Sequence, residues 1–271
     1  MATIDAFYEP GDGETYLATE HTQGPWDSRF QHGGPPAALL TRAIERLLSR
    51  EGAGLVVARL TFDILRPIPR LPLSATARMD RYGRRIQLVR ATLSDGAEPL
   101  VTASAWAVAP APEHFPPTEQ AVPAPPSPIG LAERDPTDHP EWRCGFLAAT
   151  EWRFVRGDYG TPGPATVWMR PRVPLLPDEV PSPIQRVALT VDSANGVSAV
   201  REITDWSFIP PELTVHVVRA PRGEWLCLDA SSFVQPGAVG LAGADLYDGD
   251  GLVARSAQAI LVAARTPGGA R

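Results

Sequence analysis

One pattern occurs twice in this chain, and that repeat restricts the fold more than any other feature. Leu60-Thr-Phe-Asp-Ile-Leu-Arg66 returns as Leu213-Thr-Val-His-Val-Val-Arg219, 153 residues later. Leu100-Val-Thr-Ala-Ser-Ala-Trp-Ala107 returns as Leu252-Val-Ala-Arg-Ser-Ala-Gln-Ala259, 152 residues later. Two matches in the same order at nearly one offset mark an internal duplication. Between the copies lies a proline-dense stretch, APAPEHFPPTEQAVPAPPSPIG, followed by the polar AERDPTDHP. Proline has no N–H and a fixed φ, so such a segment makes a poor helix or strand and a good semi-rigid connector. The expected organisation is a first domain over 1–110, a linker over 111–140 and a second domain over 141–271, consistent with 271 residues as two modest domains.

Each half follows the same plan. From Pro35 to Arg50, Leu39, Leu40, Ala43, Ile44 and Leu47 recur at helical spacing, with Pro36 tolerated in the first turn and Gly52 as a stop. Alternating strands are predicted over 55–65, 73–80, 85–94 and 99–108, with Asp95-Gly96 as the last hairpin turn. The second half predicts a helix near 184–195, ended by Asn195-Gly196. Strands follow near 212–219, 224–233, 238–248 and 251–264, with a turn at 248–251. A further strand is expected before each helix, around 14–19 and 164–170. A helix followed by a long antiparallel meander is the hotdog plan. The expected class is therefore α+β, a tandem (double) hotdog in which two antiparallel sheets each wrap a central helix. Pairing the sheets edge to edge would cover exposed edges and make a pseudo-dimer from one chain.

Composition narrows the function. A formal net charge of −6 provides no basic field for nucleic acid or an anionic membrane. The N-terminal MATIDAFYEPGDG lacks the basic and apolar regions of a signal peptide, and no apolar run approaches the roughly 20 residues that span a bilayer. Cys144 and Cys227 form neither a disulfide framework nor a metal-ligand motif. A cytoplasmic enzyme with no metal and no cofactor is expected. Gly-x-Ser-x-Gly, His-Glu-x-x-His and a phosphate-cradling Gly-rich loop with Lys are all missing from the sequence.

Four motifs resemble the double-hotdog acyl-CoA thioesterases of the thioesterase II type. They are Gln31-His32-Gly33-Gly34 opening the first helix, LTFDILRP over 60–67, LTVHVVRAPRGEW over 213–225 and LVARSAQ over 252–258. The resemblance implies hydrolysis of acyl thioesters of CoA or an acyl carrier by an activated water. In that family a helix aspartate, a hydroxyl residue and a glutamine hold the water. Asp192 in VALTVDSANG and Gln258 fall on the first and last. Pro210 occupies the hydroxyl position, and Thr214, four residues on, is the nearest candidate. Related double hotdogs often associate further, so a homo-oligomer is among the expected partners.

The residue types fit that chemistry. Asp192 is the only acid of the second predicted helix, among apolar and small neighbours, and partial desolvation strengthens a carboxylate as a base. Gln258 carries both a donor and an acceptor. At an offset of 152, their counterparts are Leu40 or Thr41 and Trp106, so one catalytic site per chain is expected. Gly33 and Gly34 at a helix start would leave backbone N–H groups free for an oxyanion, with His32 orienting substrate. Arg84, Arg85, Arg66 and Arg219 are candidates for CoA phosphates. Trp106, Trp168, Trp206 and Trp225 are expected in the core or lining a pocket. Two other readings stand beside hydrolysis: a hotdog dehydratase or hydratase using His216 with Asp192, and a non-catalytic acyl-thioester-binding protein.

Overall fold

The computed structural model describes residues 5–51, 54–116 and 122–265. In the first half, β1 (Tyr8–Pro10) and β2 (Thr15–Ala18) precede α1 (Gly34–Glu51), then β3 (Val56–Ile64), β4 (Pro72–Arg81), β5 (Ile86–Ser94) and β6 (Pro99–Val108). The second half contributes α2 (Gly145–Ala148), β7 (Thr150–Asp158), β8 (Thr161–Pro171), α3 (Pro183–Val191) and α4 (Ala194–Val197). It closes with β9 (Trp206–Ile209), β10 (Glu212–Val217), β11 (Leu226–Phe233), β12 (Gly240–Asp248) and β13 (Gly251–Ala264). The expected helix–meander plan holds in both halves. Asp95 makes the predicted turn, its Oδ1 accepting from the N–H groups of Ala97 (3.0 Å) and Glu98 (3.1 Å), with Gly96 at φ 93°. The short elements β1, β9 and α2 and the longer strand β7 carry no clean period and were not expected.

The strands join into one antiparallel sheet in the order β1-β2-β4-β5-β6-β3-β10-β13-β12-β11-β8-β7, with β9 added to β13. The halves meet at β3 and β10, where Thr61 stands opposite Thr214. These two residues are each other's counterparts at the 153-residue offset, and their Oγ1 atoms lie 3.2 Å apart. A residue touching its own counterpart lies on a twofold axis. The pseudo-twofold therefore passes between Thr61 and Thr214. The same register moves one expected pairing. Ala257 pairs with Thr214 as Ser104 pairs with Thr61, so the counterpart of Gln258 is buried Ala105 and not Trp106. A one-residue shift places a side chain on the opposite face of a strand.

On the inner face, α1 and α3 pack against each other with the sheet around them. The first two turns of α1 are wholly buried, from Gly34 to Thr41. A Cβ on Gly34 would fall on the Leu189 carbonyl oxygen, so glycine is what lets the two helices touch there. The proline segment, where described, runs along the outer face of the second half. Trp168 Nε1 donates to the Pro126 carbonyl (2.7 Å), and Trp168, Cys227 and Tyr247 are buried beneath Ala124 and Leu131. Trp225 lies under the guanidinium groups of Arg153 and Arg170, at 5.2 and 4.8 Å.

Arg219 is structural, which corrects its expected phosphate role. Its guanidinium donates to both oxygens of fully buried Asp248, at 2.6 and 2.5 Å, and to the Gly251 carbonyl at 3.1 Å, closing the β12–β13 turn. Burial alone would raise the Asp248 carboxyl. Hydrogen bonds from Arg219 and from the N–H groups of Arg222 and Asp250 outweigh it and hold the group down at about 2. A depressed carboxylate contributes stability above its unfolded value and loses it as pH falls toward the folded one. Arg219→Met should therefore cost about 1–3 kcal/mol at neutral pH, and the gap to the parent should narrow in acid as the stranded Asp248 takes a proton. Urea unfolding at the two pH values checks this. An equal loss at both would show that the ion pair is not what holds the turn.

Candidate active site

The expected helix over 184–195 breaks at Asp192 into α3 and α4. Asp192 caps the C-terminus of α3, and the Ser193 N–H donates to the Thr190 carbonyl (3.1 Å) in a tightened last turn. A carboxylate there faces the unfavourable end of the helix dipole and needs donors from elsewhere. The inner face of β13 supplies one. Gln258 Nε2 donates to Asp192 Oδ1 at 3.2 Å, with Asp192 7% exposed and Gln258 fully buried. The other end of that amide, Oε1, is buried without a partner. Unpaired buried acceptors are uncommon in folded proteins and mark places where a ligand or water bonds.

The start of α1 reaches this carboxylate from the other half. A Cβ on Gly33 would lie 2.7 Å from Asp192 Oδ2, so any side chain there would displace the acid. Both glycines thus serve the close approach of one helix to the other, beyond the ligand access expected of them. Pro35 and Pro36 have no N–H, and the Ala37 N–H already reaches the Gly33 carbonyl (3.1 Å). Only the N–H groups of Gly33 and Gly34 remain in this first turn.

His32 connects the two halves. Its Nδ1 lies 3.1 Å from the Gly34 nitrogen and 3.2 Å from Asp192 Oδ2. One nitrogen cannot accept from the first and donate to the second at once. A proton on Nδ1 serves Asp192 and frees the Gly34 N–H, whereas a bare Nδ1 takes the Gly34 N–H and leaves the carboxylate to Gln258. The ring stacks on Phe146, with centroids 3.8 Å apart and planes at 10°. Burial pushes His32 below the usual histidine range, with the Asp192 charge opposing it only in part.

A cavity of about 110 Å³ opens beside these groups, reached by His32, Gly33, Asp192 and Ser193 and otherwise mainly apolar. The tryptophans that line it are Trp26, Trp142 and Trp152. None of the four singled out from the sequence does so. Pro210 lines the cavity too, so the residue at the expected hydroxyl position does face the site. A hydroxyl is nevertheless present. Ser193 lines the cavity, 4% exposed, and its buried Oγ has no partner. Its place in the sequence, directly after Asp192, was the available signal.

Several expected site residues lie elsewhere. Thr214 points to the outer face, because Leu213 and Val215 beside it are buried and strand side chains alternate. His216 shares that outer face, exposed, so the histidine beside Asp192 is His32. Arg84 and Arg85 are exposed just before Ile86, which pairs with Val108, which pairs with Val56. The cavity lies at the other end of β3, at Ile64, about 27 Å away at the usual strand rise. Arg66 stays at the cavity end, between the lining residues Ile64 and Ile68, and forms an ion pair with Glu98. In α1, buried Thr41 donates to the Ala37 carbonyl at 2.8 Å. The acid that α1 does present to α3, Glu45, accepts from Ser182 Oγ (2.8 and 2.7 Å) and Gln185 Nε2 (2.8 Å) and so braces the helix pair.

The chain is similar over nearly its whole length to several solved structures. A putative thioesterase II from Thermobifida fusca matches with a TM-score of 0.73 and 19% identity, covering 96% of each chain. A conserved protein of unknown function with a hot dog fold, from Alicyclobacillus acidocaldarius, matches with a TM-score of 0.73 and 18% identity, covering 97% of this chain and 98% of the other. An acyl-CoA thioesterase II from Mycobacterium marinum matches with a TM-score of 0.66 and 20% identity, covering 97% and 96%. At these identities the likeness establishes a hotdog fold. No curated protein matches the chain. Two family models do: an acyl-CoA thioesterase N-terminal domain over 22–108 and an acyl-CoA thioesterase C-terminal domain over 116–262, the second alone spanning more than half the residues. The chain therefore belongs to the acyl-CoA thioesterase family and is a thioester hydrolase.

Proposed function

We propose that the chain is a double hotdog, with domains over 1–110 and 141–271 joined by a linker over 111–140, and that it hydrolyses acyl-CoA through a water activated by Asp192. The observation that carries this reading is the Asp192–Gln258 pair, in which Asp192 lines the cavity and Gln258 Oε1 is buried without a partner. A water accepted there can donate one proton to Gln258 Oε1 and the other to the Asp192 carboxylate. As Asp192 takes its proton, the oxygen adds to the thioester carbon. The carbonyl oxygen gains charge next to the Gly33 and Gly34 N–H groups, where one well-aimed donor is worth about 10²–10³ in rate. The C–S bond then breaks, and the proton on Asp192 passes to the leaving thiolate.

A neutral His32 with its proton on Nδ1 supports this sequence, because it orients Asp192 Oδ2 through a hydrogen bond and releases the Gly34 N–H toward the oxyanion. Ser193 Oγ takes the place of the hydroxyl that Pro210 cannot supply, holding the water or the thioester. Arg66 at the cavity rim is the remaining arginine candidate for the CoA phosphates. A site made from both halves yields one active centre per chain, since the α1 acid Glu45 is already held by Ser182 and Gln185.

Free-thiol release from acyl-CoA tests the assignment. Asp192→Asn should lower kcat by about 10²–10⁴, the usual worth of a general base, with substrate binding retained. A variant that keeps parental turnover would remove Asp192 from the mechanism. Separately, Ser193→Ala should lower kcat by about tenfold or more with an unchanged melting temperature. Thr214→Ala, on the outer face, should stay within about twofold of the parent. The reverse ranking would restore Thr214 as the hydroxyl and dismiss Ser193.

A further inference from the structure

The cavity beside Asp192 ends against a pair of rings. Trp142 and Tyr159 line it, and they also line a second, much smaller cavity of about 10 Å³ beyond. Together with Gly196 and Val197, which also line both, they form the partition between the two. Trp142 is 5% exposed, and its indole N–H donates to the Tyr159 carbonyl at 3.2 Å. The two ring centroids are 5.3 Å apart. Behind them, Tyr159 packs edge-on against Trp152 and Phe154, each at 5.3 Å, so the wall cannot retreat without disturbing the core. Gly196 of α4 faces Trp142 across the same space, where a Cβ would lie 3.6 Å from the indole.

These contacts limit what the site can enclose. An apolar cavity of about 150 Å³ takes a single benzene ring of six carbon atoms, so one of about 110 Å³ has room for about four. We propose that the Trp142–Tyr159 partition sets the acyl length, making the substrates short-chain acyl thioesters and Trp142 the specificity-determining residue. The inference rests on the assignment of the hydrolytic site at Asp192. Removing the indole merges the two cavities and admits a longer chain. Filling the space from the Gly196 side excludes chains that now fit.

The test is a kcat/KM profile on acetyl-, butanoyl-, hexanoyl-, decanoyl- and palmitoyl-CoA, followed by thiol release. The parent should fall at least about tenfold between butanoyl- and decanoyl-CoA, as a pocket that rejects added methylenes does. Trp142→Leu should raise decanoyl- relative to butanoyl-CoA by about tenfold or more, and Gly196→Leu should lower butanoyl- relative to acetyl-CoA by a similar factor. Trp142→Phe keeps an aromatic wall and provides a milder opening in the same direction should the leucine variant not fold. A parent that hydrolyses palmitoyl-CoA as well as butanoyl-CoA would overturn the length limit while leaving the hydrolytic site intact. So would folded variants whose profiles match the parent's. Absence of thiol release from every substrate with folded parent protein would overturn the Asp192 assignment itself, and the length limit with it.

Discussion

The contact between the start of α1 and the end of α3 is what the rest of the site depends on. Gly33 and Gly34 remove two side chains where the helices meet, and Asp192 and the Leu189 carbonyl occupy the space that Cβ atoms would take. That approach brings a carboxylate from one half against backbone N–H groups from the other. Without it, Asp192 would be a helix end with an unfavourable dipole, bonded to Gln258 alone and away from the first half. The proline pair after the glycines sharpens the arrangement, since it leaves Gly33 and Gly34 as the only donors of that first turn.

Pseudo-symmetry organises the molecule, and its two helix junctions differ in what they place together. The twofold through Thr61 and Thr214 gives every element of one half a counterpart in the other, yet the paired positions have diverged. At one helix junction, glycines, His32 and Asp192 border a cavity. At the other, Glu45 accepts from Ser182 and Gln185, and the neighbouring Arg42 donates to both oxygens of Glu179 at 2.6 Å. Hydrogen bonds that engage each carboxylate in this way stabilise the junction.

Much of this was legible beforehand, for reasons that can be named. The period-2 strands and the amphipathic α1 follow from burying one face of each element, a demand that is written locally. The Asp95-Gly96 turn follows from which residues tolerate positive φ. Asp192 and Gln258 stand out because an acid in an apolar helix and an amide in an apolar strand are costly unless matched. The strands β1, β7 and β9 were illegible because their form comes from the neighbours they pair with. Thr214 was misplaced because counting along the sequence does not reveal which face of β10 a side chain takes once the two halves are in register.

The sequence by itself determined the duplicated plan and the helix–meander order and singled out Asp192 and Gln258 as the proposed acid and amide, since each rests on composition within a short window. Only the tertiary structure decided which groups meet. It put His32 rather than His216 beside Asp192, made Ser193 the hydroxyl at the cavity and turned Arg219 into a turn clamp for Asp248. It also assigned the cavity walls to Trp26, Trp142 and Trp152, residues from three separated stretches of chain. Such meetings depend on the packing of two helices and the register of two strands across the pseudo-twofold. No local window of residues contains that information.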